Sequence, residues 1–134
     1  KDKNDSPHKL RQMEGIQNLI PFIENSSVKK VLFVSSTSVY ADENATLTEE
    51  SISNPDTESG KQLLEAERLL QSNEKFETAV IRFGGLIGAD RHPIKFLSGK
   101  TDIENPEAPI NLIHQEDCIG IICEILNQVQ HDTA

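Results

Sequence analysis

The sequence has no long apolar run, no clustered basic charge and few cysteines, and each lack removes a class of function. No stretch approaches the ~20 consecutive apolar residues that a bilayer span needs. The first residues, KDKNDSP, lead into an amphipathic segment rather than the apolar core of a secretion signal. A cytoplasmic protein with no membrane partner is therefore expected. Lysine and arginine number 13 against 22 acidic residues, a formal charge of −9, and the one tight basic pair is Lys29–Lys30. Phosphate backbones are held by clustered Lys and Arg, so nucleic acid is not an expected partner. The two cysteines, Cys118 and Cys123, stand five apart. On a helix that spacing turns them to different faces and matches no metal or redox motif, so reduced structural thiols and no metal site are expected. Internal repeats and low-complexity tracts are also lacking. The chain opens with Lys1 and its one methionine is Met13, so the sequence reads as a piece of something longer.

What is present suits a soluble globular class. A chain of 134 residues can form one domain and bury roughly two-thirds of the surface its unfolded form exposes. Residues 7–25, PHKLRQMEGIQNLIPFIEN, place Leu10, Met13, Ile16, Leu19 and Ile20 at helical spacing. Ser6 before Pro7 suits an N-cap, and Pro21 is expected to kink or end that helix. Val31–Val34 is an unbroken apolar run, the pattern of a strand covered on both faces. It stops abruptly in hydroxyls, FVSSTSVY, and a polar loop follows over residues 41–56. Residues 57–72, TESGKQLLEAERLLQS, predict the clearest helix in the chain. Leu63, Leu64, Ala66, Leu69 and Leu70 form its apolar stripe, with Glu65, Glu67 and Arg68 facing water. Thr78–Phe83 predicts a second strand, which ends in Gly84–Gly85. Pro93–Leu97 predicts a short helical turn and Ile110–Ile113 a short strand. Glu116–Val129 predicts a last helix with Cys118, Ile121, Ile122, Ile125 and Leu126 inward.

Strands alternating with helices of this length mean βαβ units and a parallel sheet, an α/β fold. In open parallel sheets ligands bind beyond the carboxyl ends of the strands. That rule puts both Ser35–Ser38 and Gly84–Gly85 at the ligand edge. Strands apolar on both faces need neighbours in the sheet, and the sequence supplies one further short candidate. So narrow a parallel sheet is rarely stable. The remaining strands are expected from an N-terminal segment of a longer chain or from a partner, such as the second copy in a homodimer.

The segment VKKVLFVSSTSVYADENATLTEES resembles the central strand and following loop of the extended short-chain dehydrogenase/reductase superfamily, the NAD-dependent epimerase/dehydratase group. NPDTESGKQLLEAERLL is similar to its catalytic helix, and TAVIRFGGLIGADRHP to the strand and loop beside the nicotinamide. INLIHQEDCIGII is similar to the segment entering its last helix. The similarity covers roughly residues 9–128, and atypical members whose helix reads SGK or SGR resemble it most. The resemblance implies part of a Rossmann-type doubly wound parallel sheet, three layers α/β/α, with NAD or NADP as cofactor. Residues 1–134 then read as an incomplete NAD(P)-binding domain, its central and C-terminal part, in which roughly residues 84–114 lean toward a small substrate lobe. The resemblance further implies two catalytic residues. Ser36, four before Tyr40, hydrogen-bonds a substrate oxygen, and Lys61 holds the nicotinamide ribose. Ser35, Gly84, Gly85 and Leu86 join Lys61 around the cofactor, and Tyr40, Arg91 and His92 line the place of a small-molecule substrate.

Three departures limit what is carried over. The family's Tyr-x-x-x-Lys motif has Thr57 where the tyrosine stands, and a threonine hydroxyl is far too weakly acidic to replace a loosened phenol. The proton donor is thus unassigned. Members acting on nucleotide sugars have an arginine four before the position of His114; here Ile110 offers no fork of donors, so the expected substrate is small, polar and not a nucleotide sugar. The glycine-rich phosphate loop, GxxGxxG, is absent, so this chain alone is expected to bind dinucleotide weakly or not at all. The expected function is NAD(P)-dependent epimerase/dehydratase- or reductase-like chemistry in the intact form. The alternative is a non-catalytic Rossmann module: a cofactor sensor, an interaction protein or an inactive truncated remnant. His114 with Asp117 reads as a helix-capping pair rather than a metal site.

Overall fold

The computed structural model describes residues 7–43 and 45–131. They fall into two compact units, Lys1–Arg82 and Phe83–Ala134. The first carries α1 (Pro7–Glu24), β1 (Lys30–Ser36), a 3₁₀ turn (Thr37–Val39), α2 (Glu58–Gln71) and β2 (Glu77–Phe83). β1 and β2 are neighbours in one sheet. The Glu77 amide donates to the Lys29 carbonyl at 2.8 Å, which joins the two strands at their N-terminal ends. They therefore run parallel, with α2 as the crossover of a βαβ unit.

The apolar stripe of α2 makes the core of this unit. Leu64, Ala66 and Leu70 are buried, together with Val39 of the 3₁₀ turn and Phe76 just before β2. Each leucine so buried contributes about 1.5–3 kcal/mol relative to exposure. α1 packs beside α2. A cleft of about 420 Å³ between α1, β1 and α2 is lined by Met13, Ile16, Leu19, Phe33, Val34 and Leu63. At its far end α1 is tied to the turn before β2, where Glu24 accepts from Asn73 Nδ2 at 2.7 Å and pairs with Lys75 at 3.5 Å. The Asn73 hydrogen bond, helped by the Lys75 charge, holds the Glu24 carboxyl below the usual carboxylate range.

Two local expectations change. Pro21 neither ends nor breaks α1, which runs on to Glu24. Asn25 closes the last turn, its amide on the Pro21 carbonyl at 3.1 Å and its side chain on the same oxygen at 2.9 Å. The expected cap Ser6 and the side chain of Leu10 lie outside the described residues. β1 is two-sided in sequence but not in cover: among the described residues its one sheet neighbour is β2, and Val34 stays 47% exposed.

The second unit carries β3 (Gly85–Ile87), α3 (Ile94–Leu97), β4 (Leu112–His114) and α4 (Gln115–His131). β3 pairs in parallel with β4, Leu86 opposite Ile113. β3 follows at once after Gly84, a strand where a turn or a cofactor contact was expected. Cys118 is buried and Cys123 exposed, both free thiols. Of the residues expected inward on α4, Ile121 and Leu126 are exposed. Among the described residues no helix is long and apolar enough to cross a membrane.

The tightest backbone approach in the first unit sits at Gly60. A Cβ there would lie 2.2 Å from the Ser38 carbonyl oxygen and 2.8 Å from Pro55 Cβ. Gly120, within α4, has nothing within 4 Å of the same position. Gly60→Ala is expected to cost about 1–3 kcal/mol through overpacking against backbone. Gly120→Ala is expected to add about 0.8–1 kcal/mol of helix propensity. Urea denaturation of the two variants measures the contrast.

Candidate functional site

Adjacent residues on a strand point to opposite faces, and the last two residues of β1 divide their tasks accordingly. Ser35 is buried and donates its hydroxyl proton to Glu67 Oε1 at 2.5 Å. Ser36 is half-buried, and its oxygen accepts the Ser38 amide at 3.2 Å, capping the 3₁₀ turn. That turn-forming role leaves the Ser36 hydroxyl proton without an acceptor among the described residues.

The start of α2 is built against this tip. Thr57 is the N-cap, and its Oγ1 accepts the Gly60 amide at 3.1 Å, one of the four amides a helix start leaves unpaired. The residue standing where the resemblance asks for a catalytic tyrosine is thus engaged as a cap. Gly60 seats on the Ser38 carbonyl, and Lys61 follows it, its amide bonded to the Thr57 carbonyl at 3.0 Å. The Lys61 side chain is exposed, with no ion-pair partner among the described residues.

Beneath the tip lies a network that periodicity missed. Glu67, expected to face water, is 1% exposed. Arg82 of β2 grips it with both arms of its fork, Nε to Oε1 at 3.0 Å and Nη2 to Oε2 at 2.6 Å. The third arm, Nη1, donates to the Tyr40 hydroxyl at 2.6 Å, and Tyr40 donates onward to the Thr48 carbonyl at 3.4 Å. The guanidinium carbon lies 5.0 Å from the Tyr40 ring centroid. The Glu67 hydrogen bond, against the cost of burial, raises the Arg82 pKa above its already high value. Sequence carried a signal for Glu67. It stands three residues from both Leu64 and Leu70, inside the apolar stripe, and a charge there needs a partner.

The first unit therefore brings Ser36, Thr57 and Lys61 to one end of its sheet, with Ser35 and Tyr40 engaged below. Gly84, Gly85, Leu86, Arg91 and His92 belong to the second unit. There a Cβ on Gly84 would lie 2.7 Å from Asn111 Oδ1, and one on Gly85 would lie 2.8 Å from Leu112 Cδ2. Close approach of Asn111, whose carbonyl oxygen would lie 3.0 Å from a Cβ on Gly84, gives Gly84 a packing reason of its own. Leu86 is partly exposed in the middle of β3. Arg91 and His92 are exposed, and His92 Nδ1 accepts the Ile94 amide at 3.3 Å. His114, half of the expected capping pair, accepts the Glu116 amide on Nδ1 at 3.2 Å, with Asp117 in the first turn of α4. Ile110 is exposed. Among the described residues no three His, Cys, Asp or Glu side chains gather as a metal site.

Chemically, the first unit offers a free hydroxyl proton and an ammonium at the carboxyl end of a parallel strand. These are donors for an oxygen-rich ligand. Comparison with known proteins bears on the fold. No family model matches the chain. Protein YeeZ of Escherichia coli K12 is 37% identical over 114 residues, 85% of this chain and 41% of that protein. The chain thus spans about two-fifths of the length of the curated relatives it matches. A structure from Methylobacillus flagellatus assigned as an NAD-dependent epimerase/dehydratase is 29% identical with a TM-score of 0.71, over 89% of this chain and 43% of that one. UDP-glucuronic acid 4-epimerase of Bacillus cereus, solved with UDP-glucuronic acid and NAD, shares the fold at 17% identity and a TM-score of 0.76, over 93% of this chain and 44% of that one. The fold is the α/β fold of part of a Rossmann-type epimerase/dehydratase.

Because Thr57 caps α2, Thr57→Ala is expected to cost about 1 kcal/mol of stability and Thr57→Ser almost none. Thermal unfolding monitored by circular dichroism distinguishes the two.

Proposed function

We propose that the chain supplies the strand tip and helix start that serve a nicotinamide in an NAD(P)-dependent epimerase/dehydratase- or reductase-like protein. The observation that carries this reading is the seating of Gly60 on the Ser38 carbonyl, which holds the first turn of α2, with Lys61, against the tip of β1, with Ser36. Dinucleotides lie beyond the carboxyl ends of such strands. The donors present fit the ribose end of the cofactor; the phosphate end has no counterpart in the sequence, since GxxGxxG is lacking.

In this reading Lys61 donates to the nicotinamide ribose hydroxyls, and Ser36 donates its free proton to a carbonyl or hydroxyl oxygen of the substrate. The cofactor, when bound, supplies the hydride chemistry. Ile110 in place of an arginine favours a small polar substrate over a nucleotide sugar, because it offers no bidentate donor to a diphosphate. The protein works in the cytoplasm, and the open side of β1 is covered by further strands of a longer chain or of a second copy. A second reading, a Rossmann module that binds cofactor without turnover, is favoured by one observation: the Thr57 hydroxyl oxygen is occupied as the cap of α2.

Fluorescence titration of the full-length protein with NADH and NADPH tests the first reading. Saturable binding of one is expected, weakened roughly 10- to 100-fold in Lys61→Met by loss of a charge-assisted hydrogen bond. Ser36→Ala is expected to leave that affinity nearly unchanged. No saturable binding of either dinucleotide contradicts the reading, and binding without hydride exchange on small carbonyl compounds supports the module instead.

A further inference from the structure

Arg82 has no place in the chemistry above, yet its guanidinium reaches both α2 and the residue that opens the following loop. It donates to Glu67 twice and to Tyr40 once. Glu67 in turn accepts from Ser35, the residue beside Ser36. Tyr40 in turn holds the Thr48 carbonyl, and Thr48 exchanges hydrogen bonds with Ser51: its amide reaches the Ser51 hydroxyl at 2.8 Å, and the Ser51 amide reaches its carbonyl at 3.0 Å. One planar cation thus stands between the tip of β1, the middle of α2 and the loop that follows Tyr40.

We propose that Arg82 is a positioning residue of the candidate site, fixing the strand tip that carries Ser36 through Glu67 and Ser35, and fixing the 41–52 loop through Tyr40. The two arms do different work. Strand alternation makes Ser36 face away from whatever face Ser35 is tied to, so anchoring Ser35 on a buried carboxylate sets the direction of Ser36. The Tyr40 arm closes a polar loop that has few apolar contacts of its own: Leu47 and Ile52 are both exposed. Only a fork does both. A lysine at this position is a point charge that cannot reach two acceptors in fixed directions. Folding alone does not require the ions, since an apolar pair of similar volume packs at least as stably as a buried salt bridge.

The proposal rests on the functional reading for its consequence at Ser36, but its hydrogen bonds are tested without any ligand. Amide hydrogen exchange of the full-length protein, read by mass spectrometry, separates the arms. Tyr40→Phe removes the loop arm alone. Peptides covering 41–52 are expected to exchange at least about tenfold faster, as loss of one hydrogen bond to a charged group implies, while peptides of α2 and β2 keep their protection. Arg82→Lys is expected to behave likewise. Arg82→Met strands the Glu67 carboxylate and lowers the unfolding midpoint as well. The double variant Glu67→Leu/Arg82→Met is expected to regain part of that midpoint, the buried Ser35 hydroxyl having lost its acceptor, and to keep the fast loop. Loop exchange unchanged in Tyr40→Phe, or restored in the double variant, overturns the proposal. Failure of the dinucleotide titration would defeat the functional reading alone, because the exchange measurement needs no cofactor.

Discussion

A carboxylate with 1% exposure is the constraint around which the first unit is arranged. Removing an ionised group from water costs several kcal/mol unless charge and hydrogen bonds replace the lost solvent. Glu67 meets that demand with both arms of Arg82 and the hydroxyl of Ser35. The three residues come from α2, β2 and β1, so the helix must rotate, and the two strands must register, in the one way that lets them converge. Leu64 and Leu70 on the same face of α2 supply apolar burial that would tolerate small rotations. The ionic cluster does not tolerate them, because fork and carboxylate match only in plane.

From that constraint the ligand edge follows. With Ser35 turned inward, Ser36 is turned out and takes the cap of the 3₁₀ turn over Thr37–Val39. The turn brings the Ser38 carbonyl under the first turn of α2, where only a glycine fits, and Gly60 is there. Thr57 closes the helix start and Lys61 projects from it.

Much of this was legible in the residues themselves. The run Val31–Val34 specified β1, and the leucine pairs at 63–64 and 69–70 specified α2, because burial imposes its period on the sequence. The abrupt change to hydroxyls after Val34 correctly marked a strand end. Glu67 and Arg82 escaped because their pairing is non-local: 15 positions and the turn from α2 into β2 separate them, and a period along one element cannot see the other. The three-residue β3 escaped for a related reason, since Gly85–Ile87 is too short to show a period and its partners, Leu112–His114, lie far along the chain. Sequence leads one to expect Pro21 to kink or end α1, but a proline removes a single amide, and the helix runs on past it to Glu24.

Likeness in fold to an NAD-dependent epimerase/dehydratase does not settle what a chain does, because function resides in the groups a fold carries. Here those groups are a free serine hydroxyl and a lysine ammonium, with a threonine cap in place of the phenol. The central claim is that Ser36 and Lys61 address one small molecule from a tip held by Glu67 and Arg82. A crystal structure of the full-length protein with NADH tests it most directly. The account predicts the Lys61 Nζ atom within roughly 3 Å of a ribose hydroxyl, the Ser36 hydroxyl facing the nicotinamide, and the Glu67–Arg82 pair intact beneath. A dinucleotide seated away from both side chains would contradict it.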